Sequence, residues 1–392
     1  MLHDPESLFS FEENEVVIPF PVIKELEKHK SGQLDINYAA RHALNVLDSP
    51  PKTIKPILYD KLEELKGITS IDMDTIILKY VATFIHHNPK KEVILVTKDT
   101  TMRIIAKLVG IKCEDYESDK SYDFYKGHRK GNINQNLLRD LLQGSVDYTD
   151  AYIEGLNLNE YIQYPNDTIG KFKGEKIEFV KNQIISGIIP KNSEQIMAAN
   201  ALMDKNISLV TLTGKSGSGK TLLSLAAALS QNYEKIIVSK PTIPISKDLE
   251  IGFLPGNMKE KLEHWFLPFQ DNIEFLASLK RSKHTKEELN EKVSYFSLGH
   301  IRGRSIPNQF IICDEAQNTT PHMVKSLISR IGEGSKIVLI GDLNQIDHPF
   351  ISKESCGLNH VINRFKGQDI FAQIHLEKGE RSKLATLASD LL

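Results

Sequence analysis

The chain has 392 residues, 49 Lys and Arg against 51 Asp and Glu, a formal net charge of −2 and 40% hydrophobic residues, enough for two or three ordinary globular domains. It shows no run of 18 apolar residues and no charged-then-apolar leader, so neither a membrane span nor secretion is expected, and the predicted location is the cytoplasm. Cys113, Cys313 and Cys356 lie far apart without C-x-x-C spacing, which argues against a zinc site or a disulfide framework.

In chain order, a turn at His3-Asp4-Pro5 precedes a short apolar strand at Glu15 to Pro19. A helix opens at Pro21-Val22-Ile23 and carries Glu25 and Glu27. Apolar spacing predicts further helices over Ile36–Leu47, Thr75–Ile85 and Thr101–Val109, with a buried-type strand at Val93–Thr97 between the last two. This alternation over residues 1–125 predicts a parallel α/β domain. Residues 126–185 are richer in Gly, Asn and Tyr, with short apolar pieces ("YIQYP", "KIEFV"). They read as a linker with a small β element. The basic, aromatic-interleaved run Tyr125–Asn132 ("YKGHRKGN") and the basic run Leu279–Lys286 ("LKRSKHTK") have two readings: solvated loops, or positive charge confined to a nucleic-acid groove.

From residue 186 to 392 the α/β rhythm returns, with strands predicted at Ser208–Thr213, Lys235–Ser239, Phe310–Cys313 and Lys336–Ile340. The first runs into Gly214-Lys215-Ser216-Gly217-Ser218-Gly219-Lys220-Thr221, which fits G-x-x-x-x-G-K-[ST]. A strand before it and a helix-forming run, Leu222–Leu229, after it supply the required context. The glycines let backbone N–H groups turn inward onto phosphate oxygens, and the helix N-terminus favours their charge. Lys220 would meet the β and γ phosphates, and Thr221 would offer its hydroxyl to Mg²⁺. A plain Gly-rich turn into a helix is the competing reading. The apolar run Phe310–Cys313 ends in Asp314-Glu315, placing one carboxylate for Mg²⁺ and a second to take a proton from attacking water, which favours hydrolysis. Asp342 and Gln345 close the following strand and have two readings, a polar side chain that senses a γ-phosphate or an ordinary strand-to-loop turn. Gln195, in a helix beginning near Pro190, has the amide to read an adenine edge.

Four segments in order, "GFLPGNMKEKLEHWFLPFQDN" (252–272), "IRGRSIPNQFIICDEAQNTT" (301–320), "GDLNQID" (341–347) and "GERSKLATLAS" (379–389), resemble the PhoH ATPase family. With the α/β domain in front, the chain is similar to PIN–PhoH fusion proteins. The resemblance implies a P-loop NTPase with a RecA- or helicase-like parallel sheet over 186–392. It also implies ATP and Mg²⁺ as cofactors, single-stranded RNA as partner, unwinding activity and a homo-oligomeric ring. Arg381 of "GERS" would reach a neighbouring subunit's γ-phosphate, and Arg302 and Arg304 are similar to the family's "RGR". Lys240-Pro241 departs from an expected Arg-Pro, which keeps the charge and loses the bidentate fork.

The resemblance also implies a metal-dependent ribonuclease site, with Mg²⁺ or Mn²⁺ held by about four acids, of which Glu25, Asp74 and Asp99 match. The family usually opens with a strand carrying a further Asp. Here Met1 stands just before Leu2-His3-Asp4-Pro5, so that strand is expected to be missing. Two accounts present themselves: a true start upstream, favoured by the retention of the other three acids, or a truncated chain with an inactive nuclease. The alternative to an RNA-unwinding ATPase is an ATP-gated RNA-binding adaptor without helicase or nuclease activity. A small-molecule kinase fits less well, because Glu315 follows Asp314 and no arginine-rich lid is visible.

Overall fold

Runs of β-branched residues alternate with Leu- and Ala-rich helical stretches, and the computed structural model folds them into two compact units, Met1–Asp123 and Phe124–Leu392. It describes residues 7–11, 14–31, 35–50, 56–62, 72–116, 124–151, 153–241, 266–279, 286–298, 306–348 and 351–379.

The first unit contains β1 (Val17–Pro19), α1 (Phe20–His29), α2 (Asp35–Asp48), β2 (Ile57–Tyr59), α3 (Met73–His87), β3 (Leu95–Val96), α4 (Thr100–Leu108) and β4 (Cys113–Glu114). Helix α1 has Pro21 in its first turn, where its missing N–H costs nothing. Asp72 and Asp99 cap α3 and α4 by accepting backbone N–H bonds from Thr75 and Met102, each at 2.8 Å. Strand β1 pairs with β2 and β3 with β4, both in parallel, and among the described residues no strand joins the two pairs. Helix α3 packs against both α1 and α4. Ile77, Leu78, Val81, Met102, Ala106 and Ile111 form the core beneath it.

The second unit opens with a small sheet. Its elements are β5 (His128–Lys130), α5 (Gln135–Gln143), β6 (Ser145–Asp147), β7 (Tyr161–Gln163), β8 (Ile169–Phe172) and β9 (Lys176–Phe179). The strand order is β5-β7-β8-β9-β6, antiparallel except for β5 beside β7. The segment read from sequence as a linker with a small β element contains a five-stranded sheet with a core of its own, built on Leu141, Val146, Ile162, Phe172 and Ile177.

After it come α6 (Ser193–Met203), β10 (Leu209–Gly214), α7 (Lys220–Leu229), β11 (Lys235–Lys240), α8 (Leu267–Ser278), α9 (Lys286–Lys292), β12 (Val293–Ser297), β13 (Gln309–Cys313), α10 (Pro321–Ile328), β14 (Lys336–Gly341), α11 (Gly357–Phe365) and β15 (Phe371–Leu376). Six strands form one all-parallel sheet in the order β12-β11-β13-β14-β10-β15. Helices α6 to α9 contribute to the core on one face, and α10 and α11 to that on the other. Both faces are therefore covered, and β10 and β14 are buried throughout, as parallel sheets require. Strands β12 and β15 lie outside the sequence-predicted set.

The small sheet is fastened to α6 by polar groups. The Tyr161 hydroxyl donates to Asn200 Oδ1 at 2.8 Å, and Lys171 and Lys173 meet the Asp204 carboxylate at 2.7 and 3.0 Å. Burial works against the Asp204 charge, yet these two ammonium groups hold its carboxyl well below the usual range. Burial also pulls the Lys171 amine down to about 8.

Candidate active site

The carboxyl ends of the parallel strands converge on one edge of the sheet, where ligands bind in open α/β folds. Strand β10 ends there at Gly214. A Cβ at this position would overlap the Leu376 carbonyl oxygen, so only glycine allows the loop to leave so close to β15. Residues 215–217 form an exposed tip, while Ser218 is buried. Gly219, at φ +91°, turns the chain into the N-terminus of α7. Lys220 curls back beneath the loop, donating to the carbonyls of Gly214 at 2.6 Å and Lys215 at 2.8 Å. Its ammonium thus sits inside a ring of loop oxygens, which the Ser218 hydroxyl completes at 3.4 Å. Gln195 braces the loop from α6: its Nε2 donates to the Ser218 carbonyl at 3.1 Å and its Oε1 accepts from Lys191 N at 2.9 Å.

Two strands away, separated from β10 by β14, strand β13 delivers Asp314 and Glu315. The Asp314 N–H donates to the Ser239 carbonyl at 2.9 Å, which carries the β11–β13 pairing one residue beyond the strand. Burial raises the Asp314 carboxyl, with Lys240 pulling against that rise and Glu315 adding to it. Lys240 Nζ stands 3.7 Å from Asp314 Oδ2 and 5.6 Å above the Phe269 ring. The lysine at the Lys-Pro departure therefore faces the acid. The half-buried Asp314 carboxylate is an oxygen donor of the kind a hard cation such as Mg²⁺ takes, and it lies within electrostatic reach of Lys220 at the start of α7.

Glu315 occupies the left-handed region, φ +54° and ψ +34°, unusual for a residue with a side chain. Its Oε2 accepts from Gln317 Nε2 at 2.6 Å. Gln317 is fully buried and was missed by sequence reading, although it stands in the quoted "DEAQ"; two residues from the acid pair, it reads as an ordinary turn residue. After β14, Asp342 is buried and Gln345 is exposed. Arg381, Arg302, Arg304 and residues 252–265 of the quoted motifs lie outside the described residues.

The chain's two halves match separate families. Residues 187–390 match the profile described as PhoH-like protein, and residues 1–117 match that of a PIN domain. The chain belongs to the PhoH-like protein family. Protein PhoH2 of Bacillus subtilis (strain 168) is 38% identical over 441 residues, covering 100% of this chain and 98% of the relative. Protein PhoH2 of Mycolicibacterium smegmatis is 29% identical over 427 residues, covering 100% and 94%. Protein PhoH of Escherichia coli (strain K12) is 30% identical over 198 residues, covering 49% of this chain and 54% of its own. The PhoH-type domain with its P-loop thus follows a PIN domain.

In the PIN domain, Asp74 lies in the first turn of α3. Burial raises its carboxyl, and the nearby charges of Asp99 and Asp72 add to the effect. Among the described residues, however, no group of three or more His, Cys, Asp or Glu side chains is arranged to hold a metal, and Glu25, Asp74 and Asp99 form no such group. Asp99 and the unpredicted Asp72 engage their carboxylates in capping α4 and α3.

The basic run at 125–132 is tied down by ion pairs and a hydrogen bond, with Lys126 and Lys130 remaining exposed. Lys126 pairs with Glu377 at 2.6 Å, the His128 ring bonds to the His375 carbonyl at 2.9 Å, and Arg129 pairs with the buried Glu160 at 2.5 Å. Lys126 and His128 tie the small sheet to β15 and its end, while Arg129 is held within the small-sheet region by Glu160. Residues 280–285 of the second basic run lie outside the described residues. No described helix is long and apolar enough to cross a membrane.

Proposed function

We propose that the chain is a Mg²⁺-dependent ATPase whose turnover is coupled to single-stranded RNA. The observation that carries this is the gathering of Lys220, Asp314 and Glu315 at the carboxyl edge of one parallel sheet, with β14 between their strands. Loop amides and Lys220 would bind the phosphates, and Thr221 and Asp314 would hold a magnesium ion, which would supply positive charge against the phosphates. Glu315 orients a water and takes its proton as the water oxygen bonds to the γ-phosphorus. The bond to the bridging oxygen breaks, and ADP and phosphate leave. Gln345 senses the γ-phosphate, Gln195 reads the adenine edge, and Arg381 acts on a neighbouring subunit's nucleotide, which calls for a ring.

The test is ATP hydrolysis by the purified chain with and without single-stranded RNA, against Glu315→Gln as blank. Stimulation by RNA supports the reading; robust turnover indifferent to RNA refutes the coupling. Light scattering checks the ring, and a monomer that still hydrolyses ATP removes the role in trans from Arg381.

A second reading, an ATP-gated adaptor whose PIN domain grips RNA without cutting it, is favoured for that domain by the capping roles of Asp72 and Asp99. Cleavage of single-stranded RNA in Mn²⁺, lost in Asp74→Asn, would overturn it.

A further inference from the structure

Glu315 is the group assigned to the attacking water, and its geometry is set by a neighbour. Its backbone is held in a left-handed conformation that is unfavourable for a residue with a side chain. Such strain persists only where the surroundings over-determine it. They do so here through one buried amide. Gln317 Nε2 donates to Glu315 Oε2 at 2.6 Å and to the Gln345 carbonyl at 2.9 Å, and Gln317 Oε1 accepts from Asp342 N at 3.1 Å. Both donors and one acceptor position are occupied, so the amide has a single orientation. The next residue extends the grip: Asn318 Oδ1 accepts from Asp347 N at 2.8 Å and from His348 N at 3.2 Å. The short turn after β13 therefore clamps the whole segment that leaves β14, residues 342–348.

We propose that Gln317 is a positioning residue for ATP hydrolysis: its side-chain amide fixes the Glu315 carboxylate and locks it to the segment after β14. This rests on the ATPase reading above. Gln317 touches no reacting atom; it acts through Glu315. Only Oε2 of that carboxylate is engaged by the amide, and the other oxygen faces the task of orienting water. A movement of the 342–348 segment, where Gln345 is exposed, reaches the Glu315 carboxylate through the Gln317 side chain. Because a misplacement of about 1 Å at a reacting group costs on the order of 100-fold in rate, loosening this link is expected to slow chemistry without weakening nucleotide binding.

The experiment compares the full chain with Gln317→Met, which keeps the bulk and removes all three hydrogen bonds. It also includes Gln317→Glu, which keeps the acceptor for Asp342 N and sets a second carboxylate against Glu315. Steady-state ATP turnover, affinity for a fluorescent ATP analogue and melting temperature are measured on the same samples, with Glu315→Gln as blank. The expected result is a kcat at least about 10-fold lower in both, lower still in Gln317→Glu, with nucleotide affinity within about two-fold of the parent. Turnover within two-fold of the parent in either folded variant overturns the proposal. So does a parallel loss of kcat and affinity, and so does failure of both variants to fold, since each makes Gln317 a packing residue only. Parent turnover no higher than the blank would defeat the ATPase reading itself, an outcome distinct from these.

Discussion

At the scale of single residues, the site depends on charges held where water cannot fully screen them. Lys220 donates to its own loop carbonyls, so Lys220→Ala is expected to weaken ATP binding by at least about 10-fold, measured by titration of a fluorescent analogue. Glu315→Gln is expected to retain ATP binding and to lose at least about 100-fold in turnover; unchanged turnover would reassign the base. His375 offers a test by pH. Burial pushes its imidazole down to about 4, against the pull of Glu377, while its Nδ1 lies 3.0 Å from the Thr213 hydroxyl. The unfolded chain takes a proton near pH 6.5 that the fold refuses until about 4. Stability is therefore lost as pH falls through that window, by about 1–3 kcal/mol, since the ring is partly screened. Urea midpoints at pH 7 and pH 5 should separate more for the parent than for His375→Gln, and equal separations would refute the assignment.

At the scale of elements, strand β15 shows what patterning conceals. Its sequence, Phe-Ala-Gln-Ile-His-Leu, alternates apolar and polar residues as a half-exposed strand would, yet it is buried but for the half-buried His375. The polar side chains are accommodated by β10: the Thr211 hydroxyl donates to Gln373 Oε1, Gln373 Nε2 donates to the Thr213 hydroxyl at 2.6 Å, and that hydroxyl meets His375. This ladder runs along the strand that ends in the phosphate loop. Gln373→Met should leave two buried hydroxyls short of a partner and destabilise the second unit by about 1–3 kcal/mol in a denaturant titration. A neutral result would show the ladder to be dispensable. Strand β10, by contrast, was plain in sequence, because its Leu-Val-Thr-Leu-Thr run is apolar or β-branched throughout and flows into glycines. The small sheet was only glimpsed, since strands of three and four residues barely establish a period.

At the scale of the molecule, the two units follow different economies of burial. The second has helices on both faces of six strands, together with the small sheet fastened to α6 by Tyr161 and Lys171. The fragment Phe124–Leu392 is therefore expected to fold alone and bind ATP with the affinity of the full chain, checked by calorimetry; a fragment that fails to melt cooperatively would show that it needs the first unit. In that first unit, two separate strand pairs carry exposed apolar side chains, with Leu58 at 56% and Val96 at 37%.

Sequence by itself determined the phosphate loop, the acid pair and the parallel α/β class. Each depends on contiguous residues whose local conformation is nearly obligatory: glycines before a helix N-terminus, and a carboxylate closing an apolar run. Only the tertiary structure decided that Gln317 grips Glu315, that Lys240 faces Asp314, that Lys126 and Arg129 of the basic run pair with Glu377 and Glu160, and that Glu25, Asp74 and Asp99 form no metal-holding group among the described residues. Those outcomes depend on which strands become neighbours. A polar side chain finds its partner through that neighbourhood, across distances in sequence that no local pattern encodes.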